Sequence, residues 1–164
     1  NHQMKCLQCE SPMKTKKENY HYDGCGLPGI TLVNIAVSRC SKCGEHEAAI
    51  PRIEALHRSI AHTLAHKPAR LAPEEVRFLR QYLGWPSKGL ASCMGVEPET
   101  VSRWESGAAQ IGPQAERLLR VLALTIKPAD DYQLDYLRAI RSEISAPLRV
   151  KMKVSGPEWE AAAA

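Results

Sequence analysis

The sequence predicts an α+β protein: an N-terminal zinc-ribbon-like domain with a small antiparallel sheet, followed by an all-α helix-turn-helix domain. Three observations carry that prediction. Two Cys-x-x-Cys knuckles, Cys6/Cys9 and Cys40/Cys43, enclose a turn-rich, strand-like segment. Short amphipathic helices punctuated by glycine and proline follow, two of them joined by the three-residue turn Gly95-Val96-Glu97. Near the end, Leu148, Val150, Met152 and Val154 alternate with Arg149, Lys151 and Lys153, the period of a half-buried strand. The chain accordingly divides into a metal-binding domain (4–50), a helical connector (51–70), a helix-turn-helix domain (71–126) and a helix-and-strand extension (127–160).

A two-residue spacer lets one tight turn present both sulfurs to one ion, and two such turns complete the tetrahedral thiolate set that zinc takes at about 2.3 Å. Cys6, Cys9, Cys40 and Cys43 are therefore the candidate ligands of one structural Zn²⁺ per chain. Gly44 suits the second turn because glycine tolerates positive φ. The loop between the knuckles exceeds the roughly 15–20 residues of the usual spacing, which leaves room for a hairpin. Two disulfides or a redox motif are the alternatives; the redox reading needs a single Cys-x-x-Cys at a βαβ helix start. Cys25, between Gly24 and Gly26, is the one rival ligand, and its flanking glycines predict a mobile turn. Four protein ligands leave no position for substrate, so the expected job of the zinc is to fold a segment too small to hold its own core. Most of that segment's large apolar residues are Tyr20, Tyr22, Ile30, Leu32, Val33, Ile35 and Val37.

The 164 residues allow one or two small domains, and six cysteines with four on a metal imply a reducing compartment. No run of about 18 apolar residues is present and no charged-then-apolar leader precedes the first knuckle, so the expected location is cytoplasmic, without membrane attachment. Residues 1–3 and 161–164 read as added sequence without function. The net charge is +4, but its distribution is uneven. Residues 51–72 hold four basic and one acidic side chain, whereas 73–126 hold six of each. The excess thus falls on the connector, and bulk charge offers the helical module little support as a nucleic-acid binder.

In the connector, Ile53, Leu56, Ile60 and Leu64 are spaced three and four apart, which predicts one amphipathic helix of about 14 residues ended by Lys67-Pro68. His57, His62 and His66 lie on it; His62 and His66 have chelating spacing but lack a third ligand, so a solvated face is the reading. Pro73 with Glu74 and Glu75 opens the next helix, since proline suits the first position and carboxylates favour the positive end of the dipole. Val76, Leu79, Tyr82 and Leu83 form its buried stripe before Gly84. Pro86-Ser87 opens a second, with Leu90, Ala91 and Met94 inward and Cys93 as a small apolar residue, until Gly95. A third runs from Glu97-Pro98 to Gly107, and the short turn before it is what a helix-turn-helix requires. A fourth begins near Pro113 and is predicted to bury Leu118, Leu119, Leu122 and Ile126. A fifth is predicted over 131–145, ended by Pro147. A lone strand is marginal, so residues 148–154 must either join the hairpin of the metal domain or cross to a partner chain.

Residues 95–107, Gly-Val-Glu-Pro-Glu-Thr-Val-Ser-Arg-Trp-Glu-Ser-Gly, resemble the recognition-helix region of the Cro/repressor-type (XRE) helix-turn-helix family, with its lambda-repressor-type fold. With the knuckles ahead of it and Leu118-Leu119-Arg120-Val121-Leu122 behind, the layout over about 4–126 is similar to the MqsA antitoxin family, the YgiT-type zinc finger and helix-turn-helix proteins. That resemblance implies a regulator that binds a double-stranded DNA operator as a homodimer, and a zinc domain that docks a toxin ribonuclease or another partner. It implies that Arg103 reads guanine, that Thr100 meets a thymine methyl or a backbone oxygen, that Ser87 and Lys88 hold phosphate, and that Ser102 lies in the same contact motif. Trp104 reads as core. Pro86-Ser87 replaces a common Thr-Gln, and Glu97 and Glu99 stand where relatives carry Ser and Asn. Glu99 would accept from cytosine, or both glutamates only complement the helix dipole. The extension beyond 126 favours a stand-alone regulator over a short antitoxin. No Gly-rich phosphate loop or recognisable catalytic triad is present, so no enzyme is expected.

Overall fold

The computed structural model describes residues 4–126, 140–141 and 143–163. Among them are five strands and five helices: β1 (Met13–His21), β2 (Gly29–Cys40), β3 (His46–Ala49), α1 (Ile53–Ala65), α2 (Pro73–Tyr82), α3 (Ser87–Met94), α4 (Pro98–Ser106), α5 (Pro113–Ile126), β4 (Arg149–Ser155) and β5 (Glu158–Ala161). The architecture is α+β, with one small sheet and the helices on one of its faces.

The long strand β2 organises the sheet. β1 pairs antiparallel along one edge, and on the other edge β3 covers only Ala36 to Arg39. The free half of that edge, Gly29 to Leu32, accepts β4 in parallel, and β5 then pairs antiparallel with β4. The sheet is therefore mixed rather than antiparallel, and the C-terminal strand joins the metal domain's own sheet. Gly29 permits the join: a Cβ there would sit 2.0 Å from the Leu148 carbonyl oxygen. The sheet continues through Ala161, so the residues read as a trailing addition begin inside a strand.

Period-two alternation, stepped by one residue at the bulge around Asn34, sends Ile30, Leu32, Ile35, Val37, Met152 and Trp159 to one face, where they meet Leu56, Ile60 and Leu64 of α1. The same buried cluster continues through Leu79, Leu90, Val101, Trp104 and Leu119. Each fully buried leucine contributes about 2–3 kcal/mol, so one core holds sheet and helices together. The metal-bearing segment thus has a shared core instead of lacking one; only Cys6, Met13 and Cys40, with Cys9 against them, form a separate cluster at the tip.

Helix punctuation follows the glycines and prolines. Pro73 and Pro98 start α2 and α4, and Gly95 and Gly107 end α3 and α4 in the left-handed region. One expectation fails. Leu118 is 40% exposed, because α5 turns Leu119, Ala123 and Leu124 inward instead. Most of the helix expected over 131–145 lies outside the described residues, and the described ones in that range are not helical. There Ile144 bridges to Arg70 and the Arg141 N–H donates to the Pro68 carbonyl, so this segment runs as a strap along the connector.

A buried ionic brace joins connector to helices. Lys67 Nζ donates to Glu75 Oε1 at 2.6 Å, Arg70 Nε to Glu116 Oε1 at 2.9 Å, and Arg120 to Glu116 Oε2 at 2.9 Å. The Arg120 guanidinium also donates to the carbonyls of Leu64, Ala65, Lys67 and Ala69. It serves the C-terminus of α1, where helix carbonyls lack intrahelical donors and a cation suits the dipole. Glu75 meanwhile accepts from the Ala72 N–H at the start of α2. Burial pushes the Glu75 carboxyl up, against the Lys67 ammonium beside it.

Candidate metal centre and nucleic-acid interface

The knuckles are built alike. In each, a backbone N–H one residue beyond the second cysteine reaches back to the first: Glu10 to the Cys6 carbonyl at 2.8 Å, Gly44 to the Cys40 carbonyl at 3.1 Å. Both turn residues are left-handed, Glu10 at φ 56° and Gly44 at φ 78°. The Met13–Cys40 register of β1 and β2 then brings the two knuckles together.

The four sulfurs lie within 4.8 Å of one another. Cys6–Cys43 is 3.5 Å, Cys9–Cys40 is 3.4 Å and Cys9–Cys43 is 3.6 Å. A tetrahedron with bonds of about 2.3 Å has edges of roughly 3.8 Å, whereas a disulfide needs about 2.05 Å. Spacing and donor set therefore fit a four-thiolate metal centre, and all six cysteines are free thiols. The Cys9 thiol is pulled down to about 6, chiefly by hydrogen bonds from the Ser11 side chain and backbone. Ser11 and the strained turn residue Glu10 were not apparent from the spacing of the cysteines.

Cys25 does not belong to the cluster. It is buried beside Tyr22 in the shared core, and burial raises its thiol. His57 is half-buried: its Nε2 is 2.9 Å from the Tyr22 hydroxyl, and its ring stands edge-on to Phe78. The His62 and His66 rings lie 4.2 Å apart, tilted by 36°, with His66 Nδ1 donating to the His62 carbonyl. Among the described residues, only the four knuckle cysteines group as a metal site. Cys93 is exposed rather than packed.

In the helical module, Val101, Trp104 and Glu105 face inward from α4, with Trp104 7% exposed. The remaining positions, Glu99, Ser102, Arg103 and Ser106, recur at helical spacing on the solvent side, and Thr100 is half-buried between the faces. Ser87 and Lys88 form the first turn of α3, half-buried and exposed respectively. Glu97 sits at the start of α4 without a side-chain cap, and Pro98 supplies the first helical position. The turn between α3 and α4 is closed by the Val96 N–H on the Ala91 carbonyl at 3.0 Å.

Arginine partners divide sharply. Arg80 chelates Glu105 and Arg77 lies 3.6 Å from it, while the Arg103 side chain has no ion-pair partner among the described residues. The charge count also misleads. Glu75, Glu105 and Glu116 are buried in ion pairs, two of them with Lys67 and Arg70 of the connector. The connector's excess is thus consumed internally, and the even balance of the module overstates its surface acidity. The signal was present: Glu116 and Arg120 share the helical stripe of Leu119 and Ala123. A scan against protein-family models finds no match, and neither does a search of curated proteins.

Proposed function

We propose that this protein is a DNA-binding transcriptional regulator, with α3 and α4 as a helix-turn-helix of the Cro/repressor type and a structural Zn²⁺ on Cys6, Cys9, Cys40 and Cys43. The observation that carries the reading is the solvent face of α4, where Arg103, without an ion-pair partner among the described residues, stands between Glu99, Ser102 and Ser106. A guanidinium fork in that position suits guanine O6 and N7, with Thr100 beside it for a thymine methyl or backbone oxygen. Ser87 and Lys88 at the start of α3 suit phosphate. Two copies would set their α4 helices on half-sites about 34 Å apart or a multiple of that. The zinc supplies a cross-link between knuckles and no chemistry, since thiolates take all four positions.

Selection from randomised duplex DNA tests this directly and reads out half-site spacing. Arg103→Ala should then lose about 1–3 kcal/mol of discrimination at one base pair, roughly a 5- to 150-fold loss of affinity. Unchanged operator affinity in that variant defeats the assignment. A second reading, an antitoxin whose metal-bearing end docks a toxin ribonuclease, is favoured by Leu7, which is 93% exposed at the tip of the first knuckle. Co-purification with the product of an adjacent ribonuclease-like gene, lost on Leu7→Asp, supports that reading; its failure leaves the regulator.

A further inference from the structure

The second edge of β2 is interrupted. β4 ends its pairing at Leu32 and β3 begins at Ala36, so Val33, Asn34 and Ile35 have no strand on that side among the described residues. At the same point the β1–β2 register shifts and Asn34 adopts φ 58°. Bulges bend a strand and re-aim its side chains. Here the result is a notch of about 640 Å³ lined by Val33, Ala36, Ala49 and Ile50, with Lys17 and Lys153 in its lining as well.

Strand register assigns the surrounding charges to one face. Lys17 is opposite Ala36, Arg149 opposite Gly29 and Lys151 opposite Thr31, all on the side away from the core. An adjoining groove of about 330 Å³ is lined by His21, Thr31, Arg149 and Lys151. Of the acids on these strands, Glu160 is paired to Lys153 at 2.9 Å and Glu158 to Arg58 at 3.3 Å. That leaves Glu47 as the one carboxylate of this face without an ion pair among the described residues. Basic side chains therefore surround an apolar seat.

We propose that this sheet face docks an acidic peptide segment of a partner protein. An apolar side chain of the segment fills the notch, a carboxylate beside it meets Lys17, and further acids run along Lys151 and Arg149. The open backbone at residues 33–35 offers main-chain hydrogen bonds in the manner of strand addition. A nucleic-acid backbone would match the charge but would leave the apolar seat unused, and among the described residues the strands put no Phe, Tyr or Trp on this face for bases to stack on. The helices lie against the opposite face, so this surface is independent of the DNA-binding reading.

The test is fluorescence anisotropy on the full, zinc-loaded chain, with a labelled seven-residue peptide of aspartates and glutamates around a central leucine. Binding near about micromolar strength is expected, weakening with salt. Lys17→Glu with Lys151→Glu should weaken it at least about tenfold. Ala49→Trp, which fills the notch from an exposed position without changing charge, should do the same, as should replacing the leucine by serine. No binding at about millimolar protein overturns the proposal, and so does indifference to Ala49→Trp. Labelled oligo(dT) or random duplex held by the lysines in place of the peptide overturns it in favour of nucleic acid. Both variants should keep the operator selected by the parent chain; loss of operator binding by Arg103→Ala alone concerns the other reading.

Discussion

Arg120→Met tests the idea that one buried guanidinium ties α1, the connector and α5 together. Methionine keeps the apolar stem of the side chain but removes the guanidinium and with it every donor. The Lys67 and Ala69 carbonyls lose donors at 2.6 and 2.7 Å, and an orphaned buried acceptor costs about 1–3 kcal/mol. Breaking the buried pair with Glu116 adds to this, up to about 3–5 kcal/mol where nothing compensates. Compensation is partial here, since Glu116 keeps the Arg70 Nε–H and the Leu71 N–H. These terms overlap, and about 4–6 kcal/mol is the expected total, a large share of the 5–15 kcal/mol that holds a domain. In urea, with a slope of about 2 kcal/mol per molar, the unfolding midpoint should fall by roughly 2 M or more. Arg120→Lys should recover only part of the loss, because a single ammonium cannot span carbonyls on both sides of the connector. A midpoint within about 0.5 M of the parent would mean that these carbonyls find other donors, and the brace would not be a brace.

Three further outcomes follow from the geometry. Gly44→Ala should destabilise the metal-bearing tip by about 1–2 kcal/mol through backbone strain alone, since a Cβ there meets no atom within 4 Å; zinc competition that is unaltered would argue against it. Trp159→Phe removes the indole N–H that donates to the Pro51 carbonyl at 2.9 Å and should cost about 1–2 kcal/mol in urea unfolding, whereas Trp159→Ala should cost about 3–5. A neutral phenylalanine would show that the hydrogen bond contributes nothing. Stripping the metal with a chelator should speed amide exchange in residues 4–14 and 38–47 while 53–82 stay protected; exchange that rises uniformly would refute a local role.

Local signals were read well from the chain and tertiary ones were not. The knuckles, the proline starts and the glycine stops of α2 to α4 are set by backbone preferences of a few residues, and the described helices begin and end at them. The partner of the C-terminal strand depended on how much of the β2 edge β3 would leave open, a non-local quantity. Alternation of Val150 and Met152 marked a buried face without saying against what. Leu118 failed for a related reason: the buried face of α5 is formed by Glu116, Leu119, Arg120 and Ala123, two of them charged, which apolar spacing does not mark, and Leu118 falls outside it. A charged residue enters a core only when its partners are already there, and Arg70, the partner of Glu116, lies 46 residues away.

The position of the cysteines narrows what the metal does. Had the sheet lacked a core, loss of the ion would unfold everything ahead of α1. Instead β2 contributes Ile30, Leu32, Ile35 and Val37 to a cluster that runs on to Leu119, and β4 and β5 add Met152 and Trp159 from the far end of the chain. That cluster does not include Cys6, Met13 or Cys40, which pack on one another and on Cys9. An ion held by the four thiolates would therefore stabilise the two knuckles and the paired ends of β1 and β2, while the α3–α4 pair rests on contacts such an ion would not touch. It follows that a metal-free chain should still present Arg103 on an ordered α4, and that whatever depends on a bound metal is done by the tip itself.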